Sequence, residues 1–235
     1  MSTSILTGRR GVFPALLVGL ALATALATTL FGTGHSSPAA HAETGHSHAA
    51  PALAAKPQAA AFQDEMRKLW EDHVTWTRLA IVTFADGSAG FDATATRLLK
   101  NQDDIGDAIK PFYGKAAGDE LTALLKDHIG IAVELLQAAK AGDDAAFAQA
   151  HAAWYANSDD IAGFLAAANP RYWPQAAMRA AMRGHLDQTL AEASHELTGQ
   201  YAKSVADYDE IHHHILGMAD VLSAGIIRTF PHRFN

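Results

Sequence analysis

The sequence predicts an all-α fold, an antiparallel up-down bundle of about six helices arranged as three hairpins. Two observations carry this. From Phe62 onward apolar residues recur at steps of three and four, and no stretch alternates with period two for long enough to make a strand. Gly, Pro or Asn breaks separate the periodic stretches, and the connections are short, so sequence neighbours should lie antiparallel. Alanine, the best helix former, dominates, while aromatic residues make up only 8% of the chain.

The bundle is expected over residues 61–235. Helix one runs from about Ala61 to Ala85 with Met66, Leu69, Trp70, His73, Trp76, Ala80 and Phe84 on one stripe, and stops at Asp86-Gly87. Helix two starts after Asp92 as N-cap and reaches about Lys110, where Pro111 should end it. Helix three spans Asp119 to Lys140 with Gly142 as its stop. Helix four spans Asp143 to Ala168, halted by Asn169-Pro170. Helix five begins at Pro174, a favoured first-turn proline, and ends at Thr198-Gly199. Helix six runs from about Gln200 to Thr229, before Pro231.

Two segments precede the bundle. Arg9 and Arg10, an uncharged apolar run over residues 12–31 and Ala40-His41-Ala42 form the three-part pattern of a secretory signal peptide over residues 1–42. The run is also just long enough for an uncleaved anchor. Either reading places the rest of the chain outside the cytoplasm, with the membrane touched only through this segment. Residues 43–60 are Ala, Pro and His without periodicity and read as a flexible linker, in which His46 and His48 would catch metal ions weakly.

The composition of 235 residues excludes several chemistries. There is no Cys, so there is no disulfide, thiolate metal site, Fe–S cluster or Cys nucleophile. Removing residues 1–42 takes away two Arg and no acid, leaving 16 basic against 25 acidic residues, a net of −9. Such a charge argues against a nucleic-acid partner. No H-E-x-x-H, G-x-S-x-G, phosphate loop or dinucleotide fingerprint is present. The unusual count is 13 His against 18 Lys+Arg.

Those histidines follow a repeat. The first helix of each hairpin holds one: His73, His128 and His185. The second helix holds an acidic block before an isoleucine: Asn101 to Ile105, Asn157 to Ile161, and Asp207 to Ile211. The His-to-block spacing is 28, 29 and, less regularly, 22 residues, which reads as a divergent triplication. His73 and His128 fall on the apolar stripes of their helices, His185 at a stripe's edge, and Asn101 and Asn157 face inward too. Inward polar groups need partners, so they are expected to meet in one layer.

Neutral imidazole is a common ligand for Zn, Fe and Cu, and bundles build such sites from facing helices. The expected ligands are His73, His128, His185, Asp209 and His213, the last two sharing a face four residues apart. Asp72, Asn101, Asp127, Asn157 and Asp220 would orient them. The expected function is binding, storage or delivery of a transition metal, without catalytic residues. The alternatives are an envelope protein whose polar layer only fixes packing, and a metalloenzyme or haem protein. His151 and His195 read as ordinary surface residues.

The segments Trp70 to Arg78, Lys110 to Gly114, Trp154 to Asn157 and Gly217 to Asp220 resemble a family of small bacterial helical proteins, mostly uncharacterised. The resemblance covers about residues 65–231. Some members carry the labels glycosyltransferase or acetylglutamate kinase, which imply α/β folds that a chain without predicted strands does not support. An acidic or amide residue precedes each of the three histidines in that family. Here Asp72 and Asp127 keep the pattern and Gly184 departs from it. The resemblance implies weight for His73, His128, His185, Asn101, Asn157, Asp209 and Asp220, and supplies no function.

Overall fold

Six helices follow one another with short turns between them. The computed structural model describes residues 57–235: α1 is Pro57–Ala85, α2 Phe91–Tyr113, α3 Lys115–Ala141, α4 Asp144–Ala168, α5 Gln175–Leu197 and α6 Tyr201–Thr229, and a 3-10 turn, Pro231–Phe234, closes the chain. No strand occurs among the described residues. The segment expected to be a signal peptide, residues 1–42, and His46 and His48 lie outside them. Each helix packs on its sequence neighbours and α1 packs on α6, so the three hairpins close into a ring. Among the described residues no helix is long and apolar enough to cross a membrane.

Several boundaries differ from expectation. Gly90, not Asp92, is the N-cap of α2, which starts at Phe91 with Asp92 in its first turn, and Pro174 is the N-cap of α5 rather than its first residue. The region expected to be linker gives up Pro57 to Ala60, which form the first turn of α1; proline suits that turn because its missing N–H would be unpaired anyway. Pro111 does not end α2. It lies in the last turn, where the Gly114 N–H still bonds the Lys110 carbonyl at 2.9 Å, and the helix reaches Tyr113. The extension is held by packing, since Phe112 and Tyr113 join Phe62, Trp173, Phe230 and Phe234 in an aromatic cluster at this end. Finally, α3 begins at Lys115, four residues early, because Gly114 at φ 88° reverses the chain in one residue and Ala116 and Ala117 continue as helix.

Packing is closest where α2 crosses α3. A Cβ on Gly106 would stand 2.7 Å from the Gly118 carbonyl oxygen, and a Cβ on Gly118 would stand 2.7 Å from the Gly106 oxygen. The backbones therefore touch, and this pair has no room for any side chain. The main core runs from the aromatic end through Trp70, Ile105, Leu125, Ile161, Leu186 and Ile215. Toward the other end it divides into two small clusters, around Ala80, Leu98 and Ile129 and around Ile81, Leu136 and Ala193. The histidines sit where it divides.

Candidate functional site

The first helix of each hairpin, α1, α3 and α5, carries its histidine inward, and each ring is 4% exposed. The partner in each hairpin is the residue 29 positions on. In the first, Gln102 Nε2 lies 3.3 Å from His73 Nδ1. In the second, His128 Nδ1 donates to Asn157 Oδ1 at 2.7 Å. In the third, the His214 ring lies parallel to the His185 ring, with centroids 6.5 Å apart.

A second bond repeats with the first. One turn before each histidine, a main-chain carbonyl accepts from the second helix of the hairpin. Asn101 Nδ2 donates to Leu69 O at 3.0 Å, Asn157 Nδ2 to Leu124 O at 3.1 Å, and His214 Nε2 to Ala181 O at 2.9 Å. Thus Asn157 performs both tasks in hairpin two, and Asn101 and Gln102 divide them in hairpin one. His214 performs only the carbonyl task in hairpin three. His185 Nδ1 is left buried without a hydrogen-bond partner. Thr77 and Thr189, each four residues after its histidine, return their hydroxyls to the His73 and His185 carbonyls at 2.8 Å.

The three rings line one cavity of about 50 Å³, walled otherwise mainly by apolar side chains such as Leu98, Ile129, Leu136 and Trp154. His73 and His185 are 5.7 Å apart between centroids, and Trp154 stacks on His128 at 5.2 Å. Burial is the main reason all three stay neutral. It takes His73 down to about 3, helped by the neighbouring His128 and opposed by Asn101, and His128 to about 4, opposed by Asn157. His185 falls well below its ordinary value, through burial and then the proximity of His73, His128 and His214. Two more buried polar atoms lack partners here, Trp154 Nε1 in the cavity wall and Gln102 Oε1 beside His73. Orphans of this kind in a native core ask for a further partner.

Several expected site residues lie elsewhere. Asp209 and His213 are exposed and do not reach the layer. The inward stripe of α6 is Ile211, Ile215, Met218 and Leu222, and His214, three after Ile211, flanks it. His212 instead bonds Glu71 Oε1 at 3.0 Å on the surface. Asp72 orients no imidazole: it pairs with Lys68 at 3.0 Å and Arg97 at 3.7 Å. Asp127 is exposed. Asp220 pairs with Arg67 at 2.6 Å and accepts from Gln63. Gln102 and His214 were not expected in the layer. Carrying the 29-residue spacing forward from His185 would have found His214.

A second polar cluster lies one to two turns further along α1. Arg78 donates to Glu192 Oε1 at 2.5 Å and to Ser204 Oγ at 3.0 Å, and lies 4.0 Å from Glu196. Ser204 Oγ in turn donates to Glu196 at 2.5 Å. Burial lifts Glu192 to about 7, against the pull of Arg78. His195, expected on the surface, is half-buried beside this cluster and bonds Asp207 at 2.5 Å.

No protein-family model, curated protein or solved structure matches this chain. Among the described residues no three His, Asp or Glu side chains already stand as a metal-ligand set.

Proposed function

We propose that the protein is an exported transition-metal-binding protein, that its metal is held by His73, His128 and His185, and that copper(I) suits the site best among zinc, iron and copper. The observation that carries this is three buried, neutral imidazoles from three helices on one cavity. Neutral imidazole is the ligating form, and burial keeps these rings neutral without a metal to do so. Asn157 fixes the proton of His128 on Nδ1, which leaves the Nε2 lone pair for a metal. His73 Nδ1 faces Gln102 Nε2 at 3.3 Å, and the two hydrogens of that amide are shared with Leu98 O and Asn101 Oδ1, so releasing this long contact frees the Nδ1 lone pair of His73 for the ion. His185, with no partner on Nδ1, is free to turn toward the ion.

One distance, between His73 and His185, suits this. Two imidazoles bound at about 2.0 Å to one ion have centroids roughly 5–6 Å apart, and His73 and His185 are 5.7 Å apart. Charge selects the ion. No carboxylate lines the cavity, and the cost of burying an ion rises with the square of its charge, so a monovalent ion is favoured over zinc(II) or iron(II). The size of the cavity speaks against haem. Export rests on the sequence of residues 1–42 alone.

The test is elemental analysis of the full untagged chain, purified without oxygen from copper-supplemented cells, against a His73→Gln/His128→Gln variant. The variant is expected to carry one equivalent less, and histidines elsewhere cancel in the difference. Equal metal in both, with the variant folded by circular dichroism, refutes the site and leaves a polar layer that only fixes packing.

A further inference from the structure

On the other side of His214 a groove of about 370 Å³ opens between α5 and α6. Its lining includes His213, His214, Met178 and Met218, with small residues such as Ala181 and Gly217 leaving the space. None of the lining residues is Asp, Glu, Lys or Arg. Two imidazoles and two thioethers make a neutral, soft donor set. Carboxylate-preferring ions find no ligand in it, whereas copper(I) takes thioether and imidazole together. His214 Nε2 is committed to Ala181 O, which fixes the ring and leaves Nδ1 as its ligating atom.

The second observation lies behind His214. In hairpins one and two the residue 29 positions on is an amide beside Nδ1 of the histidine, and only in hairpin three is it another imidazole. His214 leaves His185 Nδ1 buried and unpartnered. An asparagine at 214 would close the third hairpin as Asn157 closes the second. The chain carries instead an imidazole that lines the groove on one side and lies parallel to the cavity histidine on the other.

We infer that the α5–α6 groove is a second, outer copper(I) site that loads the inner one through His214 and His185. The loading role rests on the inner site proposed above; binding in the groove does not. Exposed His213 receives the ion at the surface, half-buried His214 and buried Met178 and Met218 hold it deeper, and unpartnered His185 Nδ1 is next inward.

The test is an anaerobic titration of the full untagged chain with copper(I) against a chromogenic copper(I) chelator. The wild type is compared with His214→Asn/Met218→Leu and, separately, with His128→Gln. The groove variant is expected to lose one equivalent or at least tenfold in affinity, and to melt no lower than the wild type, because asparagine supplies both hydrogen bonds. The methyl resonances of Met178 and Met218 should shift in the wild type at the first additions. Unchanged copper uptake in the groove variant, or methyl resonances that stay still, overturns the outer site. Loss in the groove variant with no loss in His128→Gln keeps the outer site and refutes the inner one. Loss in both, with the inner equivalent filling more slowly in the groove variant, supports loading; inner filling at the wild-type rate refutes it.

Discussion

The bundle buries polar groups in two places and solves the problem in opposite ways. At the histidine layer the groups give up their charge: three imidazoles stay neutral, and two of them meet amides. At the cluster of Arg78, Glu192, Glu196 and Ser204, a buried cation is kept beside its carboxylates, and burial raises one of them, Glu192, to about 7. The two lie five residues apart on α1, about 7.5 Å along the helix axis. Their responses to pH are opposite. His73 and His128 have folded values near 3 and 4 against 6.5, so the stability they contribute is present above pH 6.5 and is lost as pH falls. Glu192 is raised from 4.5 to about 7, so its contribution is fully present below pH 4.5 and is lost as pH rises through 7. A core that needs both is squeezed from both sides. A neutral layer tolerates a change of ligand; a charge-paired cluster tolerates only the loss of the whole set.

The most damaging break should be Arg78→Met. It leaves two carboxylates buried without their cation, at a cost of about 3–5 kcal/mol. Urea denaturation should show a larger loss at pH 8 than at pH 5, where Glu192 carries a proton. A loss independent of pH would refute the pairing. His128→Ala should cost less, about 2–4 kcal/mol, from the lost ring packing against Trp154 and the stranded Asn157 amide. Its loss should shrink as pH drops from 7 to 4, because the wild type is then paying to keep the ring neutral. Glu192→Gln sharpens the contrast with a smaller effect. The variant's stability relative to wild type should improve as pH rises from 5 to 8, by about 1–2 kcal/mol. A flat difference would place the titration elsewhere. Asp72→Asn should be smallest, below about 0.5 kcal/mol, since it removes only surface pairs with Lys68 and Arg97. It should leave metal content unchanged; a loss of metal there would restore Asp72 to the layer.

Much of the fold could be read from residues, because helix periodicity and Gly or Pro breaks act locally. Where packing decided, local signals failed: the aromatic cluster carries α2 through Pro111. The inward set of His73, His128, His185, Asn101 and Asn157 was legible for the same reason, each lying three or four residues from apolar neighbours. The third hairpin misled because the acidic block at 207–211 drew the match away from His214. The triplet His212-His213-His214 sweeps through about 200° of helix, so only the stripe from Ile211 to Leu222 decides which ring turns inward. The charged cluster was illegible, since Arg78, Glu192 and Ser204 are more than 100 residues or a helix apart and nothing in a period announces an ion pair. Gln102 was hidden beside Asn101, one residue from the face that the stripe marks.

The contact of Gly106 with Gly118 bears on how the cavity can open. Two backbones in contact act as a hinge pin: α2 and α3 have no side-chain cushion over which to slide. Hairpins one and two are thereby clamped at a common height, with His73 and His128 held as fixed jaws. The third hairpin has no such clamp, and its histidine has no amide to hold it. Any widening of the cavity for an ion therefore falls to α5 and α6, the side on which the groove already lies.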